Sequence, residues 1–126
     1  MMRRAMALVA VLGALGCADA VTSASTLRVS AVKEASGIRL SNLTGLAIGY
    51  AIFDAQTLAV IDWAPCATQS PDCLRLPAHG SVFVPFDEIL LGGATSKEVT
   101  IYNWWVLTDI EGSPQVDMDE PLTLRL

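Results

Sequence analysis

The chain has 126 residues, enough for one domain and not two. It carries 13 acidic against 8 basic residues, a formal net charge of −5, and no Lys/Arg cluster. With no basic face to meet phosphates, nucleic-acid binding and attraction to anionic lipid head groups are excluded.

The N-terminus opens with Arg3 and Arg4, followed by the uncharged run "AMALVAVLGALG". A bilayer-spanning helix needs about 20 apolar residues, so the run is too short to span. A basic start, a short apolar run and small residues behind it form the pattern of an export signal. Two cuts compete. Ala18-Asp19-Ala20 fits the small-x-small rule of an ordinary signal peptidase and would leave Val21 first. Ala14-Leu15-Gly16-Cys17 resembles a bacterial lipobox, with Ala14 where a large aliphatic residue is usual. The lipobox reading is preferred. It gives a signal peptide over 1–16, lipidation at Cys17, a short tether over 17–25 and a folded domain over 26–126. Ala18 after the cysteine then implies the outer membrane.

Either cut takes Cys17 out of the thiol pool. Cys66 and Cys73 remain, within "WAPCATQSPDCLRL". In an oxidising compartment they are expected to pair as a disulfide, closing a small loop worth about 2–3 kcal/mol. Zinc would need more Cys or His ligands than one histidine supplies.

In chain order, "TLRVSAV" sets Leu27, Val29 and Ala31 against Arg28, Ser30 and Val32, and "GIRLSNL" sets Ile38 and Leu40 against Arg39 and Ser41. Period-two alternation marks half-buried strands. Asn42-Leu43-Thr44-Gly45 is a turn cluster. "LAIGYAIFD" puts Leu46, Ile48, Tyr50 and Ile52 on one face, and the mostly small Ala47, Gly49, Ala51 and Phe53 on the other. "TLAVIDW" is expected as a further strand. A Pro-Ala-His-Gly turn separates two short strands in "CLRLPAHGSVFVPF". "FDEILLGG" offers one helical turn, capped by Asp87 and stopped by Gly92 and Gly93. "EVTIYNWWVLTD" is the longest β-rich run, and "PLTLRL" is the last. About seven short strands with frequent turns predict an all-β fold, a single antiparallel immunoglobulin-like sandwich.

The order "GIRLSNLTGLAIGYAIF", "LPAHGSVFVPF", "EVTIYNWWVL" resembles bacterial immunoglobulin-like and fibronectin type III-like modules, with Asn42, Pro77, Gly80, Ser81 and Tyr102 in the recurring places. It also resembles small secreted lipoproteins with similar "IDWAPC" and "NWWVL" stretches. The inter-sheet disulfide of antibody domains has no counterpart, because Cys66 and Cys73 are too close together in sequence. The resemblance implies a fold and no particular activity.

His79 is the only histidine, with Ser81 nearby, and there is no Gly-x-Ser-x-Gly elbow. A turn histidine on a β-module is more often solvated than catalytic. Asp109, Glu111, Asp117, Asp119 and Glu120 crowd "TDIEGSPQVDMDE" without EF-hand spacing, so an acidic, solvated loop is expected there. No metal, cofactor or enzymatic activity is expected. In a strand, Tyr102, Trp104 and Val106 face one way and Ile101, Asn103, Trp105 and Leu107 the other. One tryptophan then lies in the core. The other is covered by a loop or a neighbouring strand, or stands exposed. Trp63, Tyr102, Trp104 and Trp105 form the candidate binding patch, since such side chains anchor interfaces at little entropy cost. The expectation is an exported, lipid-anchored, non-catalytic binding or structural module of the bacterial envelope, with a protein partner. The alternative is a small envelope enzyme or ligand binder acting on glycan or lipid, which would need a pocket joining His79 to an acidic residue.

Overall fold

The computed structural model describes residues 23–67, 73–90 and 97–126. The expected signal segment, Cys17, Gly92 and Gly93 lie outside the described residues. Two antiparallel sheets face each other. The first has the order β1 (Ser23–Ser25), β2 (Val29–Lys33), β3 (Gly37–Asn42), β6 (Ser81–Pro85). The second has the order β5 (Arg75–Leu76), β4 (Ile48–Asp54), β7 (Glu98–Thr108), β8 (Pro114–Met118), with β9 (Leu122–Arg125) also on β7. Two single helical turns, α1 (Ala55–Leu58) and α2 (Phe86–Ile89), follow β4 and β6.

Alternation along each strand builds the core. Val29 and Ala31 of β2 and Ile38 and Leu40 of β3 point between the sheets, with Val82 and Val84 of β6 packed beside them. Ile48, Tyr50, Val99, Ile101, Leu122 and Leu124 meet them from the second sheet. Apolar area removed from water is the main stabilising term for such a sandwich.

β8 and β9 act as one interrupted strand along β7. Trp104 pairs with Met118, but Ile101 pairs with Leu122, so Tyr102 and Asn103 are opposed by Asp119, Glu120 and Pro121. This is a bulge, and it reverses which residues face inward. Met118 and Val116 pair with residues on the outer face, while Leu122 and Leu124 pair with Ile101 and Val99 in the core. Without the extra residue, the "PLTLRL" leucines would face away from the core.

Five expectations are corrected. "TLAVIDW" is not a strand: the Asp54 carboxylate accepts from Thr57 N–H at 2.9 Å and from the Thr57 hydroxyl at 2.6 Å, starting α1, and Val60 is 86% exposed. Leu27 does not share the inward face of Val29. It sits in the β1–β2 turn, 96% exposed. Ser23–Ser25, expected in the tether, pair with Ser30–Val32 as β1. Pro85, not Asp87, caps α2; among the described residues no side chain makes a cap hydrogen bond there, and the Phe86 N–H donates to the Ser36 carbonyl at 3.0 Å. Part of the expected acidic loop is β8, a largely exposed strand held by its ladder to β7.

Candidate functional site

The outer face of the second sheet carries an aromatic cluster. Gly49 pairs with Trp104, Ala51 with Tyr102 and Phe53 with Thr100, so these side chains share that face. Trp104 lies across Gly49, where an added Cβ would meet the indole at 2.4 Å. The small residues expected on this face of β4 therefore make room for Trp104. Trp63 covers the cluster, with ring centroids 4.7 Å from Tyr102, 5.2 Å from Phe53 and 6.1 Å from Trp104. Trp104 is 3% exposed, and its indole N–H donates to the Cys66 carbonyl at 3.0 Å. Cys66 and Cys73 form a disulfide, with Cα atoms 5.8 Å apart. The indole bond ties Cys66 to β7. Trp63, Tyr102 and Trp104 thus come together, while Trp105 lies on the opposite face of β7, packed against the core.

Trp105 belongs to a polar seam between the sheets. The Arg28 guanidinium stacks over its ring at 3.7 Å and donates to the Asp117 carbonyl at 2.8 Å and carboxylate at 3.1 Å. Beside it, the Asp119 carboxylate accepts from the Thr26 hydroxyl and, at 3.1 Å, from the Asn103 amide. Burial pushes the Asp119 carboxyl up. The Thr26 hydroxyl, the Asn103 amide, the Glu120 N–H and the Arg28 charge outweigh it and hold the group below the ordinary aspartate value. β1 also lies beside β9, so this side of the sandwich is closed.

The opposite side is different. β5 covers only Ile48 and Gly49 of β4, and β6 ends the first sheet. Among the described residues, no strand pairs with the outer edge of β6 or with Tyr50–Asp54 on that side of β4. Between these edges runs a groove of about 160 Å³, with Tyr50, Ile52, Leu74, Val82 and Val84 in its apolar wall and Glu88 as its charged residue. Burial, and then the Glu88 charge, raise the Tyr50 hydroxyl above its ordinary value. No sequence signal marked this groove, because it depends on β5 being two residues long.

The remaining candidates are dispersed. His79 sits in a turn at φ 57, exposed, its backbone N–H donating to the Thr44 carbonyl at 3.1 Å. Its imidazole makes no hydrogen bond among the described residues. Asn42, 2% exposed, ties the neighbouring loops together. Its amide donates to the carbonyls of Leu46, Leu76 and Pro77, and its oxygen accepts from Thr44. Asp109 organises the β7–β8 turn by accepting from the backbone N–H of Glu111 and Ser113. Among the described residues, no group of three or more His, Cys, Asp or Glu is placed to hold a metal ion.

These features define a small, disulfide-bonded, all-β domain of two antiparallel sheets, sandwich-like in build, consistent with an extracytoplasmic location. No family model matches the chain, and neither a curated protein nor a solved structure matches it significantly.

Proposed function

We propose that the protein is an exported, non-catalytic binding module of the bacterial cell envelope, anchored through a lipid on Cys17, that takes an extended segment of a protein partner along its open side. The strand order supports an immunoglobulin-like or fibronectin type III-like reading. β2, β3 and β6 stand where such modules have their first, second and fifth strands, and β4, β7 and β8/β9 make the facing sheet. The short β5 pairs with β4 rather than with β6, and this leaves β6 uncovered.

The carrying observation is the apolar groove between two open edges. Unpaired main-chain groups bind an added strand, and apolar pockets beside them select alternate side chains. Glu88 favours a basic residue in the incoming segment. The aromatic cluster supports this reading less well, since Trp104 is buried, with its indole N–H bonded to the Cys66 carbonyl and Trp63 packed beside it.

The test is a photo-crosslinking side chain placed at Leu74, 59% exposed in the groove, or at Leu27 in the closed side's turn. Adducts in the native envelope are expected from position 74 only, weakened by Glu88→Lys without loss of folding. Equal labelling from both positions contradicts the proposal.

A further inference from the structure

We infer that the open groove selects both the direction and the sequence of its strand: a segment antiparallel to β6 that reads, from its N-terminus, basic, apolar, any residue, apolar. This rests on the strand-accepting reading proposed above and gives the partner's binding segment its chemistry.

The pairing edge is that of β6. Three consecutive residues of β6, Val82, Phe83 and Val84, line the groove. The two valines pack against the core, whereas Phe83 lies on the outer face beside Arg39. Neighbours of opposite facing share a wall only where the groove meets the main chain itself. β4 contributes the alternate residues Tyr50 and Ile52, whose side chains belong to the core side. The groove therefore runs along the open main-chain edge of β6 and over a side-chain face of β4. Pro85 has no N–H, so a ladder on that edge ends at Val84. Every ladder in the described sheets is antiparallel, and antiparallel pairing is slightly the more stable per residue.

Register then sets the side chains. Incoming residues opposite Val84 and Val82 turn inward with those valines, toward Tyr50 and Ile52. The residue between them, opposite Phe83, turns outward. The groove holds about 160 Å³, against about 30 Å³ for a water molecule in the liquid. Valine-sized inward side chains suit that space, and a pair of aromatic rings does not.

Charge fixes the remaining position. α2 begins directly after Pro85, and Ile89, 2% exposed, holds it to the core with Glu88 at the Val84 end of the groove. Glu88 is exposed and makes no described ion pair, and Asp87 beside it carries the same sign. No basic residue lines the groove. In an antiparallel strand, the residue before the one opposite Val84 comes to this end, where a Lys or Arg meets Glu88.

The test uses the full, disulfide-bonded chain labelled with ¹⁵N, titrated with the capped peptide Gly-Lys-Val-Thr-Val-Gly. Controls are the same residues in reverse order and the peptide with Glu in place of Lys. The first peptide is expected to shift the amides of β6 and Leu74 saturably and to leave those of Thr26–Val29 unmoved. A nitroxide at its N-terminus should broaden Glu88 and Ile89 rather than Ser81. Both controls should bind about fivefold more weakly, the order of one exposed charge pair lost or reversed. In Glu88→Lys, a change at an exposed position, the preference between the Lys and Glu peptides should invert. Groove shifts with the nitroxide beside Ser81, or equal binding of either control, overturn the selectivity and leave the strand-accepting reading standing. If no peptide shifts the groove, both fall. Both also fall if the chain alone shows concentration-dependent shifts along β6, because a second copy then fills the edge.

Discussion

On one side of the sandwich, Thr26 and Arg28 reach from the turn between β1 and β2 to Asp119 and Asp117, and the Asn103 amide donates to the same Asp119 carboxylate. On the other, β6 and β4 stand apart with an apolar groove between them. An open edge invites another strand, and folded proteins commonly blunt such edges with charges, bulges or proline. The closed side has all three: Arg28 with its aspartates, the bulge at Asp119–Pro121, and Pro121 itself. Among the described residues, the groove side has Pro85 at the end of β6 and Glu88 at the groove. The contrast separates a side built to hold the sheets together from one left able to accept a strand.

The largest expected effect falls on the closed side. Trp105→Ala removes the ring between Arg28 and the core and should cost about 3 kcal/mol in chemical denaturation, near the low end for a large aromatic because the ring is half-buried. Replacing Cys66 and Cys73 by serine together should cost about 2–3 kcal/mol through the freed loop while leaving both sides of the sandwich intact. Unchanged hydrogen exchange at Thr26–Val29 in that variant would check the second half of this statement.

Asp119→Asn should cost about 2 kcal/mol, the worth of charge-assisted hydrogen bonds to Thr26 and Asn103. It should also alter the pH profile. Asp119 and Asp54 both titrate below the ordinary aspartate value when folded. At Asp54, burial acts upward but is outweighed by hydrogen bonds from the Thr57 hydroxyl and nearby backbone N–H groups. Such groups contribute stability above the unfolded pKa of about 3.9, and it is lost as pH falls through their folded values. Denaturation midpoints measured from pH 6 down to pH 2 should fall for the parent chain, and less steeply for Asp119→Asn. The smallest effect belongs to the groove side: Leu74→Glu, at an exposed position, should change stability by no more than about 0.5 kcal/mol while abolishing partner capture.

The strands that pair apolar and polar residues at period two were legible: Val29 and Ala31, Ile38 and Leu40, and Ile48 and Tyr50 all point inward. β8 was not: Pro114, Val116 and Met118 alternate with Gln115 and Asp117, but the run stands among acidic residues beside a Gly-Ser-Pro turn and is held by its ladder to β7 rather than by burial. "TLAVIDW" misled because its apolar residues suggest a strand, whereas Asp54 diverts the chain into a helical turn. At the candidate sites, the sequence placed Trp104 and Trp105 on opposite faces. It could not say that Trp63 and the Cys66 carbonyl meet one and Arg28 the other.

Amide-resolved hydrogen exchange of the purified, disulfide-bonded chain tests the contrast between the two sides most directly. The account predicts that outward-facing amides of β6, and of Tyr50–Asp54 in β4 on the same side, exchange rapidly. The β7 amides bonded to β4 and β9, and the Val29 amide bonded to the Thr26 hydroxyl, should be protected. Protection along the outer edge of β6 equal to that of β7 would contradict it, because that edge would then already be paired.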